Sequence, residues 1–151
     1  MYVFDLDETL TDHPSGDTVD EAWTSRRNHV RITQMLQSIR DHGHVVVLLT
    51  RAVRTEVLTF LKTVHLLDLF DVIIGADNHT QNWDMTDRWW AIHKTKWLQA
   101  LNETSDVELV FFDDLRINIE TAVAAGFTAI QITPPGSKST ERIVRNHLRL
   151  E

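Results

Sequence analysis

Tyr2-Val3-Phe4-Asp5-Leu6-Asp7-Glu8-Thr9-Leu10 decides the reading of this chain: three apolar residues run directly into alternating acids. The triplet reads as a short buried strand, and the acids as the point where the chain leaves it. The pattern returns further along. His44 to Leu49 is a nearly continuous apolar run, as expected of a strand covered on both faces, and it ends at Thr50-Arg51. Glu108-Leu109-Val110-Phe111-Phe112 runs straight into Asp113-Asp114. Shorter strands are expected at Val72 to Ile74, stopped by Gly75, and at Thr128 to Ile132.

Helical periodicity fills the intervals. Val30, Ile32, Met35, Leu36 and Ile39 recur at helical spacing between Arg26 and His42, with Gly43 as the stop. Further helices are expected over Val53 to His65, Arg88 to Leu101, Asn118 to Ala125 (closed by Gly126) and Ser139 to Leu148, with polar loops over residues 10 to 25 and 76 to 86. Trp90 and Trp97, seven apart, are expected to share the buried face of their helix. Trp83 and Trp89 are candidates for exposure, and His13, His79 and His93 read as loop or surface residues. Strands alternating with helices predict right-handed crossovers and a three-layer, Rossmann-like α/β fold, a parallel sheet flanked by helices. Ligands of such sheets gather at the carboxyl ends of the strands. That edge would hold Asp5, Asp7, Thr50, Arg51, Asp113 and Asp114 together.

The 151 residues, 42% of them hydrophobic, suit one domain spanning 1–151. There is no cysteine, so thiolate ligands and a cysteine nucleophile are excluded, and a metal would sit on oxygen or imidazole. The eight histidines are scattered and form no helical pair beside a carboxylate. A formal charge of −7 argues against a broad nucleic-acid footprint but leaves room for a local basic groove. No apolar run approaches a membrane span and no basic leader precedes the first strand, so a cytoplasmic protein without a membrane or obligate protein partner is expected.

Several carboxylates on one sheet edge repel one another unless a cation neutralises them. A hard divalent ion such as Mg²⁺, held by carboxylates and substrate phosphate oxygens, answers that need. Asp5, Asp7, Asp113 and Asp114 are the candidate metal residues. Asp5 is the candidate nucleophile and Asp7 the candidate acid and base. Thr50 offers a hydroxyl and an amide to phosphoryl oxygens, and a lysine opposite the metal would steady Asp5.

These residues resemble the haloacid dehalogenase superfamily of phosphohydrolases. The Asp-x-Asp-x-Thr motif is matched by Asp5, Asp7 and Thr9, the strand-closing threonine by Thr50, and the late acidic pair by Asp113-Asp114. The resemblance covers residues 2 to 132. It implies a catalytic lysine, which Lys94 or Lys96 could supply, and similarity to small members favours Lys94. It also implies direct metal contact by Asp114, with Asp113 nearby or acting through water, and a supporting role for Asn118. Glu8 stands where the family commonly has glycine. No large cap domain fits between residues 10 and 44 or 75 and 88, which implies an open site. The chain is similar to small magnesium-dependent phosphatases and to the 3′-phosphatase domain of phage-type polynucleotide kinases, without a P-loop. The expected substrate is a phosphorylated small molecule, a nucleic acid end or a phosphoprotein, with Thr9, Thr50 and Arg51 binding it. Arg54 and Arg88 are further candidates for a second phosphate. The rival readings are a dehalogenase-type hydrolase and a binding or regulatory module that keeps the fold without turnover.

Overall fold

The computed structural model describes residues 1–12, 26–78 and 85–150. The loop expected over residues 10 to 25 lies outside the described residues from position 13 onward, as do His13, His79 and Trp83. In chain order the elements are β1 (Tyr2–Phe4), α1 (Arg26–Asp41), β2 (Val46–Val53), α2 (Arg54–Thr63), a 3₁₀ turn (Leu67–Leu69), β3 (Val72–Ala76), α3 (Asp87–Glu103), β4 (Val110–Asp113), α4 (Arg116–Ala124), β5 (Thr128–Gln131) and α5 (Ser137–Leu150). The five strands form one sheet in the order β3-β2-β1-β4-β5. Every pairing is parallel. This is the α/β architecture expected from the alternation of patterns.

Alternation along β1 divides the core. Tyr2 and Phe4 point into a cluster with Ile32, Met35, Leu36 and Ile39 of α1, Val57 and Leu61 of α2, and Val144 of α5. Val3 points the other way, joining Val47, Leu49, Phe111, Leu98 of α3 and Ala122 of α4. One face of the sheet therefore carries α1, α2 and α5, and the other carries α3 and α4. Gly43 and Gly126, both at positive φ, follow the ends of α1 and α4, as the sequence suggested.

Three expectations need correction. First, β2 does not end at Thr50 but continues to Val53, with a register irregularity between Leu49 and Val53. That irregularity explains the second correction: Gly75 does not stop β3 but lies within it. A Cβ on Gly75 would meet the Ala52 carbonyl oxygen at 2.8 Å, so the irregular stretch of β2 can cross here only against a glycine. Gly75→Ala is expected to destabilise the protein by about 1–3 kcal/mol, because the obstacle is backbone and cannot rotate away. A lowered denaturant midpoint with unchanged m-value would check it; an unchanged midpoint would show that β2 yields.

Third, Trp97 is 40% exposed, whereas Trp90 is 3% exposed. Both lie at one edge of the buried arc of α3, but Trp90 is closed over by neighbours. The Arg51 guanidinium carbon stands 5.7 Å from its ring centroid, and the Trp89 ring is 5.0 Å away. Trp97 instead reaches along the helix, its Nε1 donating to His93 Nε2 at 3.2 Å. His93 is a helical residue, partly exposed and stacked on Trp89 at 4.6 Å. Val30, counted with the helical apolar set, is 42% exposed, while Met35 is core.

Candidate active site

The strand register places the first two acids of the site. Phe4 pairs with Phe112 and the Asp5 amide donates to the Phe112 carbonyl at 2.9 Å, so Asp5 and Asp113 leave adjacent strands side by side. β1 and β4 flank the point where strand order reverses, since β2 and β3 lie on one side of β1 and β4 and β5 on the other. Beyond Asp5 the chain turns at once, with the amides of Thr9, Leu10 and Thr11 all donating to the Leu6 carbonyl. Leu6 is pulled into the core and Asp7 is left exposed at the surface of the turn. Glu8 adopts φ 59°, the left-handed region that glycine occupies without steric cost. Its glycine-like backbone is held by two contacts: its amide donates to Thr11 Oγ1 at 2.9 Å, and its carbonyl accepts from the Gly136 amide at 2.6 Å.

Lys94 enters from the opposite layer. Thr86 caps α3, its hydroxyl accepting from the Trp89 amide, and the buried stripe of the helix reads Trp90, Ala91, Lys94, Thr95, Leu98. An ammonium thus occupies a core position. Lys94 Nζ donates to Asp5 Oδ1 at 2.8 Å and to Asp113 Oδ2 at 2.9 Å. Lys96 is exposed. Asp113 is fully buried; Asn118 Nδ2 also donates to its Oδ2 at 2.8 Å, and the Leu115 amide donates to its Oδ1 at 2.9 Å. Asp5 Oδ2 accepts a longer bond of 3.4 Å from Thr9 Oγ1.

A cavity of about 140 Å³ opens over this group, lined by Asp5, Asp7, Glu8, Arg51, Lys94, Asp114, Leu115 and Asn118. The two threonines stand behind it. Thr9 supports Asp5, and Thr50, also buried, accepts from the Ala52 amide at 3.1 Å through its hydroxyl. Arg51 lines the cavity while bonded to Asp87 at 2.7 Å. Arg54 is engaged elsewhere, donating to the Ile73 carbonyl, and Arg88 is exposed. A roomier depression at the amino end of the sheet, bordered by Tyr2, His44, Val110 and His147, has no carboxylate cluster.

Asp5, Asp113 and Asp114 each offer an oxygen within 4.8 Å of the others. Asp7 is not part of this group. Burial first, then the charge of Asp113, pushes the Asp5 carboxyl well above its ordinary range, although Lys94 opposes the shift. Burial and Asp113 likewise raise Asp114 to about 6. Desolvation also raises Asp7, with Glu8 adding to the shift while Lys94 and Arg51 oppose it. Burial alone would lower Lys94, but Asp113 and Asp5 outweigh it and hold the ammonium protonated.

Among the described residues Lys94 is the cation bonded to Asp5 and Asp113, and Asp5 and Asp114 stay raised beside it. The donors are hard oxygens, and Asn118 contributes a buried Oδ1 that has no hydrogen-bond partner beside the cavity it lines. This set fits Mg²⁺, which prefers oxygen ligands and keeps open positions for water and phosphate.

The shifts carry a pH consequence for the metal-free protein. A carboxyl whose folded pKa lies above its unfolded value binds its proton more tightly when folded. Its contribution therefore rises as pH falls through about 6 towards the ordinary 3.8, opposite to a salt-bridged carboxylate. Melting temperatures in EDTA are expected to fall off less between pH 7 and pH 5 than those in saturating Mg²⁺, so that stabilisation by the metal shrinks below about pH 6. Parallel curves would oppose the assignment of these acids to a cation.

No family model matches the chain, and no curated protein matches it. Solved structures do. A haloacid dehalogenase-like family hydrolase of Streptococcus pneumoniae superposes with a TM-score of 0.60 at 14% identity, covering 99% of this chain and 96% of that one. A predicted phosphoglycolate phosphatase of Haemophilus somnus gives 0.63 at 13% identity, over 97% of each chain. The N-terminal part of a Bacteroides fragilis protein, containing a phosphatase domain complexed with Mg, gives 0.66 at 13% identity, over 94% of this chain and 38% of that one. No helix among the described residues is long and apolar enough to cross a membrane. A parallel sheet in the order β3-β2-β1-β4-β5, with these structural neighbours, gives this chain the fold of the haloacid dehalogenase-like hydrolases.

Proposed function

We propose that the protein is a Mg²⁺-dependent phosphomonoesterase that works through an aspartyl-phosphate on Asp5. The observation that carries this reading is the Lys94 ammonium wedged between Asp5 and Asp113, beside a cavity that Asp7 and Asp114 also line. Asp5 and Asp114 would hold the metal, with Asn118 Oδ1 beside them and Asp113 fixing Lys94 and Asn118. When bound, Mg²⁺ draws charge from the phosphoryl oxygens and offsets the carboxylates.

Asp5 attacks phosphorus through one carboxylate oxygen while the bond from phosphorus to the leaving oxygen breaks, and Asp7 gives its proton to that oxygen. The upward shift of its carboxyl runs in the direction that a proton-carrying acid requires. In the second half, Asp7 takes a proton from water as the water oxygen attacks phosphorus, releasing phosphate and restoring the Asp5 carboxylate. Lys94 stays protonated throughout and steadies Asp5. Arg51, which lines the cavity, would meet phosphoryl oxygens at the rim by exchanging its bond to Asp87.

The single domain is uncapped in this reading. The segments that could carry a cap, residues 5–25 and 77–86, are short, and an open site favours exposed phosphates on a nucleotide, a nucleic acid end or a phosphoprotein over a sealed metabolite. p-Nitrophenyl phosphate, nucleotides, 3′-phosphorylated oligonucleotides and phosphopeptides should be assayed with Mg²⁺ and with EDTA. EDTA-sensitive phosphate release from at least one is expected. Silence across the panel with Mg²⁺ present would overturn the proposal in favour of a binding module, and EDTA-insensitive turnover would remove the metal.

A further inference from the structure

The outer face of α5 is at odds with the charge of the rest of the chain. Lys138, Arg142, Arg145 and Arg149 are all exposed, in a protein whose formal net charge is −7. Their spacing of four, three and four residues puts them within an arc of about 60° on a helix turning 100° per residue. The opposite side of the same helix holds Thr140, Val144 and His147, which face the core and Tyr2. The result is one straight column of cations, about 16 Å long at 1.5 Å per residue. Arg142 reaches the Thr133 carbonyl at 3.4 Å and Arg145 reaches Glu141 at 3.4 Å, yet a guanidinium has five donors and these contacts use few of them. Glu141, the acid beside the column, is also drawn to Arg31 at 3.1 Å.

The column ends at the catalytic turn. The Gly136 amide donates to the Glu8 carbonyl at 2.6 Å, and the Ser137 amide and hydroxyl donate to Asp12 Oδ1 at 2.9 and 2.7 Å. Thr140 Oγ1 donates to the Thr9 carbonyl at 2.5 Å. Lys138 therefore sits next to residues that are bonded to the segment carrying Asp5 and Asp7.

We infer that this face of α5 binds the phosphodiester backbone of single-stranded nucleic acid and so leads the strand's phosphorylated end to the catalytic cavity. Successive cations stand about one helical turn apart, roughly 4.5–6 Å along the axis, close to the step between phosphates of an extended strand. A single column suits a thin polyanion, which lies along it within the screening distance of the positive charges and clear of the acidic remainder. An anionic lipid surface fits less well. Interfacial helices bury an apolar face in the lipid, whereas Ile143, Val144 and Leu148 of α5 pack against the core, with Val144 fully buried.

Delivery of the end rests on the phosphatase reading above; binding along α5 does not. The test compares the full chain with the variant Lys138→Gln/Arg142→Gln/Arg145→Gln/Arg149→Gln. Anisotropy of a labelled, terminally phosphorylated single-stranded oligonucleotide reports binding, and phosphate release from it and from p-nitrophenyl phosphate reports turnover. With four phosphate contacts, affinity should fall about 50-fold between about 50 and 200 mM salt, and the variant should lose both the affinity and most of that slope. p-Nitrophenyl phosphate turnover should be unchanged by the variant, since none of the four residues lines the cavity. Lys138→Gln/Arg149→Gln, which leaves the contacts of Arg142 and Arg145 intact, should lose about half of the slope and guards against a folding effect. Equal oligonucleotide binding by wild type and variant would overturn the inference. So would binding that appears only with phosphatidylserine vesicles or with acidic phosphopeptides. If the wild type fails on p-nitrophenyl phosphate, the chemical reading fails while the anisotropy still decides the role of α5.

Discussion

Asp5→Asn is expected to lower Mg²⁺-dependent phosphate release by at least about 10⁴-fold while leaving thermal stability equal or higher. The two halves of that result come from the same geometry. The amide cannot form the aspartyl-phosphate, so the first bond-making step is lost rather than slowed. The stability half follows from the charge balance: burial and Asp113 push the Asp5 carboxyl well above its ordinary range, so its ionised form opposes folding near neutral pH. Asn removes that charge and leaves Lys94 paired with Asp113 at 2.9 Å. Phosphate release assayed beside a melting curve checks both halves. Retained turnover would sink the assignment of the nucleophile; a large drop in melting temperature would mean that Asp5 is chiefly a structural partner of Lys94. Asp7→Asn separates the rival chemistry, because a dehalogenase has no use for the acid at this position.

Lys94→Met should be the most destabilising change at the site. Lys94 is 2% exposed and its two partners are buried with it, so its loss leaves Asp5 and Asp113 as neighbouring buried carboxylates without a counter-charge. Breaking a buried pair in this way costs about 3–5 kcal/mol, which for a chain of this size lowers the melting temperature by roughly 10 °C. The charge argument makes a second demand. Asp113→Asn in the Lys94→Met background should recover part of that stability without recovering turnover, since it removes one of the stranded charges and restores no cation beside Asp5. A double variant no more stable than the single one would place the cost in packing against Phe111, whose ring centroid is 5.9 Å from the ammonium, rather than in charge. Mg²⁺ should partly offset the loss in the single variant by supplying the missing positive charge.

The neighbourhood of Lys94 also shows where sequence reading stops. Order and spacing put Asp5 and Asp7 after one strand and Asp113-Asp114 after another, and strand periodicity is a local property that survives without knowledge of the fold. Resemblance to small family members favoured Lys94 over Lys96, but residue type alone gave no ground for burying either, because lysine is normally a surface residue. The distinguishing signal was present: Lys94 is in phase with Trp90 and Leu98, four residues to either side, and Lys96 is not. Reading that phase required knowing that a buried stripe would accept an ammonium, and that depends on two carboxylates arriving from other strands. Thr50 shows the reverse. Its place near a strand end was legible, but β2 continues through it to Val53, and its hydroxyl is engaged by the Ala52 amide.

Gly75 and Glu8 mark the same boundary at the level of the backbone. A glycine after three apolar residues reads as a stop, yet it sits inside β3 because the β2 backbone passes at a distance that excludes a Cβ. Glu8 departs from the usual glycine, and the left-handed turn persists because contacts from Thr11 and Gly136 hold it. The exposure of Trp97 beside the burial of Trp90 was equally out of reach, since helical phase is nearly the same for both and only the covering by Arg51 and Trp89 differs.

Hydrophobic periodicity and the run of acids after apolar triplets were sufficient for the α/β class, the parallel sheet and the edge on which the carboxylates meet, because each is written in the local order of residues. The burial of Lys94 between Asp5 and Asp113, the saturation of Asp113 by three donors, the orphaned Asn118 oxygen and the anchoring of α5 to the catalytic turn came from the assembled molecule. Each of these joins residues on separate elements, and their energies depend on burial and approach distances that no single segment possesses until the sheet has closed around them.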